Sequence, residues 1–97
     1  MSQIEELKEL VVDFRNERNW KKFHTPKNLS VSISIEASEL MELFQWHDDL
    51  ARVDKEDLED EIADILIYLL LMAEVTDVDL VKAVKRKVEK NKKKYPK

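Results

Sequence analysis

Apolar residues return every three or four positions along most of the chain, which is the spacing of an amphipathic helix. Ser2-Gln3-Ile4-Glu5 forms a capping box, with Ser at the N-cap and Glu three residues on. The helix it opens is expected to run to about Asn19, with an inward stripe of Ile4, Leu7, Leu10/Val11 and Phe14. Residues 19–28 read as a connector, and Thr25-Pro26 ends one element and can begin the next. A second helix is predicted from Asn28 to Gln45, with its stripe at Leu29, Ile33, Glu36, Leu40 and Leu43. His47 to Val53 is a short loop. Asp54 then caps a third helix, with Asp57 as its partner, ending near Thr76. Asp77 or Asp79 caps a fourth helix, which runs to about Asn91 with Leu80, Val81, Val84 and Val88 inward.

The third helix breaks the amphipathic rule. From Ile62 to Ala73 every residue except Asp64 is apolar or aromatic. A helix apolar on nearly all faces is expected to be buried. The run is too short to span a bilayer and carries Asp64. No membrane segment or signal peptide is therefore expected, and the N-terminus lacks a cationic start and an apolar core.

Composition narrows the class. Glycine is absent, proline occurs twice and 39% of the 97 residues are charged, which points to an all-α fold in a single domain over residues 1–97. With no cysteine, disulfides and thiolate metal sites are excluded, and a cytoplasmic location is expected. The net charge of −4 conceals a division: residues 82–97 hold nine of the seventeen basic residues and one acid, Glu89. The tail therefore carries +8 and the preceding body −12.

The candidate chemistry lies in two acidic pairs. Glu36 and Glu39 are three apart within an apolar stripe, as are Glu61 and Asp64. Carboxylates are almost never buried unless paired or bound to a metal. Residues three apart on a helix are neighbours, so each pair presents two carboxylates in one direction. Antiparallel packing of the second and third helices would gather four negative charges, which a divalent cation resolves. All-oxygen ligands suit a hard ion, Mg²⁺ or Mn²⁺. A di-iron bundle would require Glu-x-x-His, and neither His24 nor His47 follows a glutamate by three.

Mg²⁺ often binds substrate phosphates as well as carboxylates, and the basic fourth helix offers positive charge for them. Lys87, Asn91 and Tyr95 lie four apart there. Trp20 and Trp46 offer flat surfaces on which a base can stack. Trp20 and Phe23 read equally as core-sealing aromatics, His24 as a surface residue and the lysines as a solvated face.

These residues resemble a family. Glu36-Ala-Ser-Glu39 followed by Glu61-Ile-Ala-Asp64 is similar to the ExxE…ExxD pattern of the MazG-like all-α nucleoside triphosphate pyrophosphatases. Trp20-x-x-Phe23-His24-x-Pro26-x-Asn28-Leu29, Glu39-Leu40-x-Glu42-Leu43-Phe44-Gln45-Trp46, Asp64-Ile65-Leu66-Ile67-Tyr68-Leu69 and Lys87-x-x-x-Asn91-x-x-x-Tyr95-Pro96 place it nearest the dCTP pyrophosphatase branch. The resemblance implies a four-helix bundle completed by homo-oligomerisation, as a homodimer or homotetramer. It implies Mg²⁺-dependent hydrolysis of a nucleoside triphosphate, dCTP or a modified dCTP, to monophosphate and pyrophosphate. Glu36, Glu39, Glu61 and Asp64 would hold the metal and carry catalysis. Trp20, His24, Trp46 and Tyr68 would surround the base, and Lys87, Asn91, Lys92 and Tyr95 would hold phosphate or sugar.

Two other readings compete. A non-catalytic helical oligomer binding nucleic acid through the basic C-terminal helix accounts for the tail. It leaves the acidic pairs unexplained, and the −12 body repels nucleic acid, so no nucleic-acid partner is expected. A helical scaffold that oligomerises through its third helix likewise leaves Asp64 and the three glutamates without a role.

Overall fold

The computed structural model describes residues 2–97. Four helices account for most of them: α1 (Gln3–Glu17), α2 (Pro26–Glu42), α3 (Lys55–Thr76) and α4 (Leu80–Lys94). Single 3₁₀ turns at Lys21–Phe23 and Leu50–Arg52 sit in the first two connections, and there is no strand among the described residues.

Each helix opens with the same local device, a side-chain oxygen that accepts from the backbone N–H three residues on. Ser2 Oγ accepts from Glu5 at 3.1 Å and Thr25 Oγ1 from Asn28 at 3.1 Å. Asp54 Oδ1 accepts from Asp57 at 3.0 Å and Asp79 Oδ1 from Lys82 at 3.1 Å. The chain has no glycine for its left-handed turns. Asn19 and Asp77 take that role, both at φ 56°. Short polar side chains tolerate this conformation better than other non-glycine residues.

Several expected boundaries move. α1 stops at Glu17, because Asn19 turns the backbone before the helix can reach it. α2 starts at Pro26 rather than Asn28, since Thr25 supplies the cap and proline fits the first turn. It ends at Glu42, and Phe44 to Trp46 leave it as turns. α4 continues three residues past Asn91, to Lys94.

Packing is organised on α3, against which both α2 and α1 lie. The α2 stripe keeps its expected register: Leu29 is fully buried, and Ile33, Glu36, Leu40 and Leu43 are half-buried. The α1 stripe does not. Leu7, Leu10 and Phe14 are exposed, and the inward line runs through Ile4, Val11 and the fully buried Arg15. Val84 and Val88 of α4 also face outward rather than inward.

The expectation of an all-round buried α3 needs the same correction. Leu70, Leu71 and Ala73 are buried, but Ile62 is 51% exposed and Leu66, Ile67 and Leu69 are only partly covered. The radius of gyration is 15.8 Å, against about 13 Å for a compact domain of about 100 residues. The single chain is therefore open, with apolar helix faces left over. No helix among the described residues is long and apolar enough to cross a membrane.

Candidate functional site

α2 and α3 pack so that Glu36, Glu39 and Glu61 converge. One carboxylate oxygen from each lies within 4.8 Å of the other two. The cause is the stripe itself. Glu36 sits in the α2 register between Ile33 and Leu40, and the packing that half-buries those two carries Glu36 inward with them. Glu36 Oε2 and Glu61 Oε2 are shielded from solvent and have no hydrogen-bond partner.

The electrostatics follow from this crowding. Burial, a side-chain hydrogen bond with Glu39 that requires one of the two to hold a proton, and the charges of Glu39, Asp64 and Glu61 push the Glu36 carboxyl up to about 7. Glu61 is raised as well, by burial first and then by the charge and hydrogen bonding of Glu39 and the charge of Asp64. Buried acceptor oxygens without donors, held among like charges, are what a hard cation satisfies. The residues therefore fit a divalent ion.

Asp64, one turn beyond Glu61 on α3, stands outside the close group of three. It lines an adjoining cleft of about 250 Å³, together with Val11, Phe14, Arg15, Trp20, His24, Ile67, Tyr68 and Leu71. Asp64 thus belongs to the cleft wall, while its charge acts on both Glu36 and Glu61. Trp20 is held edge-to-face against Phe14, at 5.6 Å between centroids and 74° between planes. The Arg18 guanidinium stacks on the Phe14 ring at 3.7 Å. Asn28 Nδ2 donates to the Phe23 carbonyl at 2.9 Å and so ties the connector that carries Trp20 and His24 to the start of α2. His24 Nδ1 is buried without a partner, and burial together with the Arg15 charge lowers the pKa of the ring.

The structure therefore brings Trp20, His24, Tyr68 and Asp64 to one cleft. It does not bring Trp46 there: that side chain is 86% exposed, beyond the end of α2. Lys87, Asn91, Lys92 and Tyr95 follow one another along α4 and its C-cap, and none of them lines the cleft. Lys92 Nζ instead pairs with Glu89 at 2.9 Å.

Sequence reasoning missed Arg15 and Glu74. Arg15 is 1% exposed, and its Nη1 donates to Glu74 Oε2 at 2.6 Å across the α1–α3 interface. Its Nε and Nη2 both donate to Asn16 Oδ1, at 3.1 and 2.9 Å. The signal was present in the spacing. Arg15 lies four after Val11, and Glu74 three after Leu71, so both hold apolar-register positions, as Glu36 does.

The MazG-like family matches residues 31–97. Over 100 aligned residues the chain is 37% identical to dCTP pyrophosphatase 1 of Rattus norvegicus and 38% identical to that of Bos taurus. Those alignments span 96% of this chain and 59% of each relative. A pyrophosphatase of Archaeoglobus fulgidus, known from its crystal structure, is 50% identical. It superposes with a TM-score of 0.92 over 100% of this chain and 95% of the other.

Proposed function

The chain belongs to the MazG-like family, and from that premise we propose that it is a nucleoside triphosphate pyrophosphohydrolase that acts on dCTP or a modified dCTP. The observation that carries the reading is the convergence of Glu36, Glu39 and Glu61, with two shielded, partnerless oxygens, next to a cleft that holds Trp20, His24 and Tyr68. The relatives named dCTP pyrophosphatase 1 support the choice of substrate. This chain spans about 59% of their length.

Glu36, Glu39, Glu61 and Asp64 hold Mg²⁺, with Mn²⁺ as the alternative ion. The bound cation supplies charge neutralisation at the phosphates and a lowered pKa for its water. The protein's own part is positioning. Trp20 and Tyr68 flank the base in the cleft. Glu39 orients a water and accepts its proton as the water oxygen attacks the α-phosphorus. The bond from that phosphorus to the α–β bridging oxygen breaks, pyrophosphate leaves with that oxygen, and the nucleotide departs as monophosphate.

The active form is a homodimer or homotetramer. The uncovered apolar surface of α3 and α4 supports this. Ile4, Leu66, Leu69, Leu80, Val81 and Val84 line a wholly apolar groove on one side of the chain. In an assembly, the α4 residues Lys87, Asn91, Lys92 and Tyr95 and the exposed Trp46 serve the site of a neighbouring copy.

The test is product analysis with Mg²⁺ and a panel of canonical and modified dNTPs. Monophosphate with pyrophosphate is the expected pair, with cytosine substrates ranked first. Diphosphate with orthophosphate would overturn the bond assignment, and no turnover of any substrate would overturn the enzyme reading.

A further inference from the structure

The acidic cluster has a role in the reading above, but the buried cation in the cleft wall does not. Arg15 lines the cleft and has five N–H donors. Three hydrogen bonds to Glu74 and Asn16 use one N–H on Nε, one on Nη1 and one on Nη2. Each terminal nitrogen therefore keeps one N–H without a protein partner. A tether between α1 and α3 needs only the Glu74 bond.

The cleft's volume of about 250 Å³ lies below the roughly 300–1,000 Å³ of pockets that enclose a whole small ligand. It takes one flat ring, and the rest of the ligand stays outside. Trp20 and Tyr68 supply aromatic wall. The polar side chains of the wall are Arg15, His24 and Asp64. Of these, Arg15 can only donate.

We infer that Arg15 is a specificity-determining residue, whose two spare N–H groups select a pyrimidine with adjacent ring acceptors. The inference rests on the nucleotide reading proposed above. In cytosine, O2 and N3 are both acceptors and match a pure donor. In uracil and thymine N3 carries a hydrogen, so donor meets donor. A guanidinium facing paired acceptors on a base discriminates by about tenfold to hundredfold. The Arg15 charge has a second effect in the same cleft: it favours the neutral ring of His24, whose buried Nδ1 is without a partner.

The experiment measures binding rather than turnover. The full chain is titrated with dCMP, with dUMP and with the 2′-deoxynucleotide of pyrimidin-2-one, which keeps O2 and N3 as acceptors but lacks the amino group. Quenching of tryptophan fluorescence reports binding. The variants are Arg15→Lys, which keeps a charge for Glu74, and Glu74→Gln, which weakens the tether while Arg15 remains.

The native chain is expected to bind dCMP and the pyrimidin-2-one nucleotide at least about tenfold more tightly than dUMP. Arg15→Lys brings the three within about twofold, and Glu74→Gln lowers thermal stability but preserves the ratio. Three results overturn the inference: equal affinities in the native chain, a ratio that survives in Arg15→Lys, or a pyrimidin-2-one nucleotide that binds as weakly as dUMP. Selective binding in a chain that cleaves no triphosphate would sink the activity reading alone. Turnover with base preference unchanged in Arg15→Lys would sink this inference alone.

Discussion

Arg15 Nη1 and Glu74 Oε2 meet at 2.6 Å although 59 positions separate them in the chain. The Arg15 side chain is 2% exposed and that of Glu74 27%, so the bond has one dry end and one damp one. Removing a partner of a fully buried pair costs about 3–5 kcal/mol, because the other charge is left uncompensated. The exposure of Glu74 reduces that figure. Glu74→Gln is expected to cost about 2 kcal/mol, a fall in Tm on the order of 10 °C for a domain of this size.

The same pair gives the protein an acid limit. The Arg15 hydrogen bond and charge hold the Glu74 carboxyl below its ordinary value of 4.5. Its contribution is therefore fully present above that value and is lost as the pH falls through the lowered one. Urea midpoints measured downwards from about pH 5 should drop more steeply in the native chain than in Glu74→Gln. Parallel curves would remove the pair from the account.

Glu36 acts in the opposite direction. Its folded-state value of about 7 lies above the ordinary 4.5. Without a cation, ionising it therefore opposes folding. The stability tied to its proton is complete below 4.5 and is lost as the pH rises to about 7. Metal-free Glu36→Gln should be more stable than the native chain at about pH 8, and the gap should close towards about pH 5. The difference between the two proteins is the quantity to read, since it cancels the opposing titration of His24 below 6.5. Mg²⁺ should raise the Tm of the native chain and barely move that of the variant. A Mg²⁺ response of equal size in both would mean that the cation binds elsewhere.

The four helices were legible because each is written twice, once in its apolar spacing and once in its cap. Ser2 and Asp54 show both, and both accept the bonds their capping positions imply. The register of α1 was not legible. Leu7, Leu10 and Phe14 compete with Ile4, Val11 and Arg15 for the inward face, and hydrophobicity alone selects the wrong set. What decides it is the partner Glu74, far along the chain. The acidic cluster stood out for the converse reason, since carboxylates in an apolar stripe have few explanations. The openness of the chain was hidden, because apolar spacing does not say whether the surface that covers a face belongs to the same molecule.

Asp64 joins the cluster to the cleft, so its charge matters more than its shape. Asp64→Asn keeps the size and leaves α3 intact, and should lower turnover by at least about a hundredfold with helicity unchanged by circular dichroism. Trp20→Ala should instead raise KM by about tenfold or more with a smaller effect on kcat, because stacking on a base is worth about 1–3 kcal/mol. The two variants thus separate cluster from cleft. Near-native turnover in Asp64→Asn with Mg²⁺ would remove Asp64 from the machinery, and an unchanged KM in Trp20→Ala would remove the base from the cleft.

Lys87 and Asn91 lie on α4, while the carboxylates lie between α2 and α3, and within one chain neither residue lines the cleft. If phosphate is held by these residues, they reach the site from another copy. Two inactive proteins then complement each other. Asp64→Asn lacks the site charge but keeps a good α4, and the double change Lys87→Ala with Asn91→Ala has the reverse defect. After mixing under conditions that allow subunit exchange, a dimer that pairs one of each contains one site with all its groups. About half of random pairs are mixed, and each holds one intact site of two, so about a quarter of native activity should return. Sedimentation must show an oligomer in all samples. Recovery of activity would place α4 in the neighbour's site, whereas an oligomer with none would leave Lys87 and Asn91 to their own chain or to the solvent.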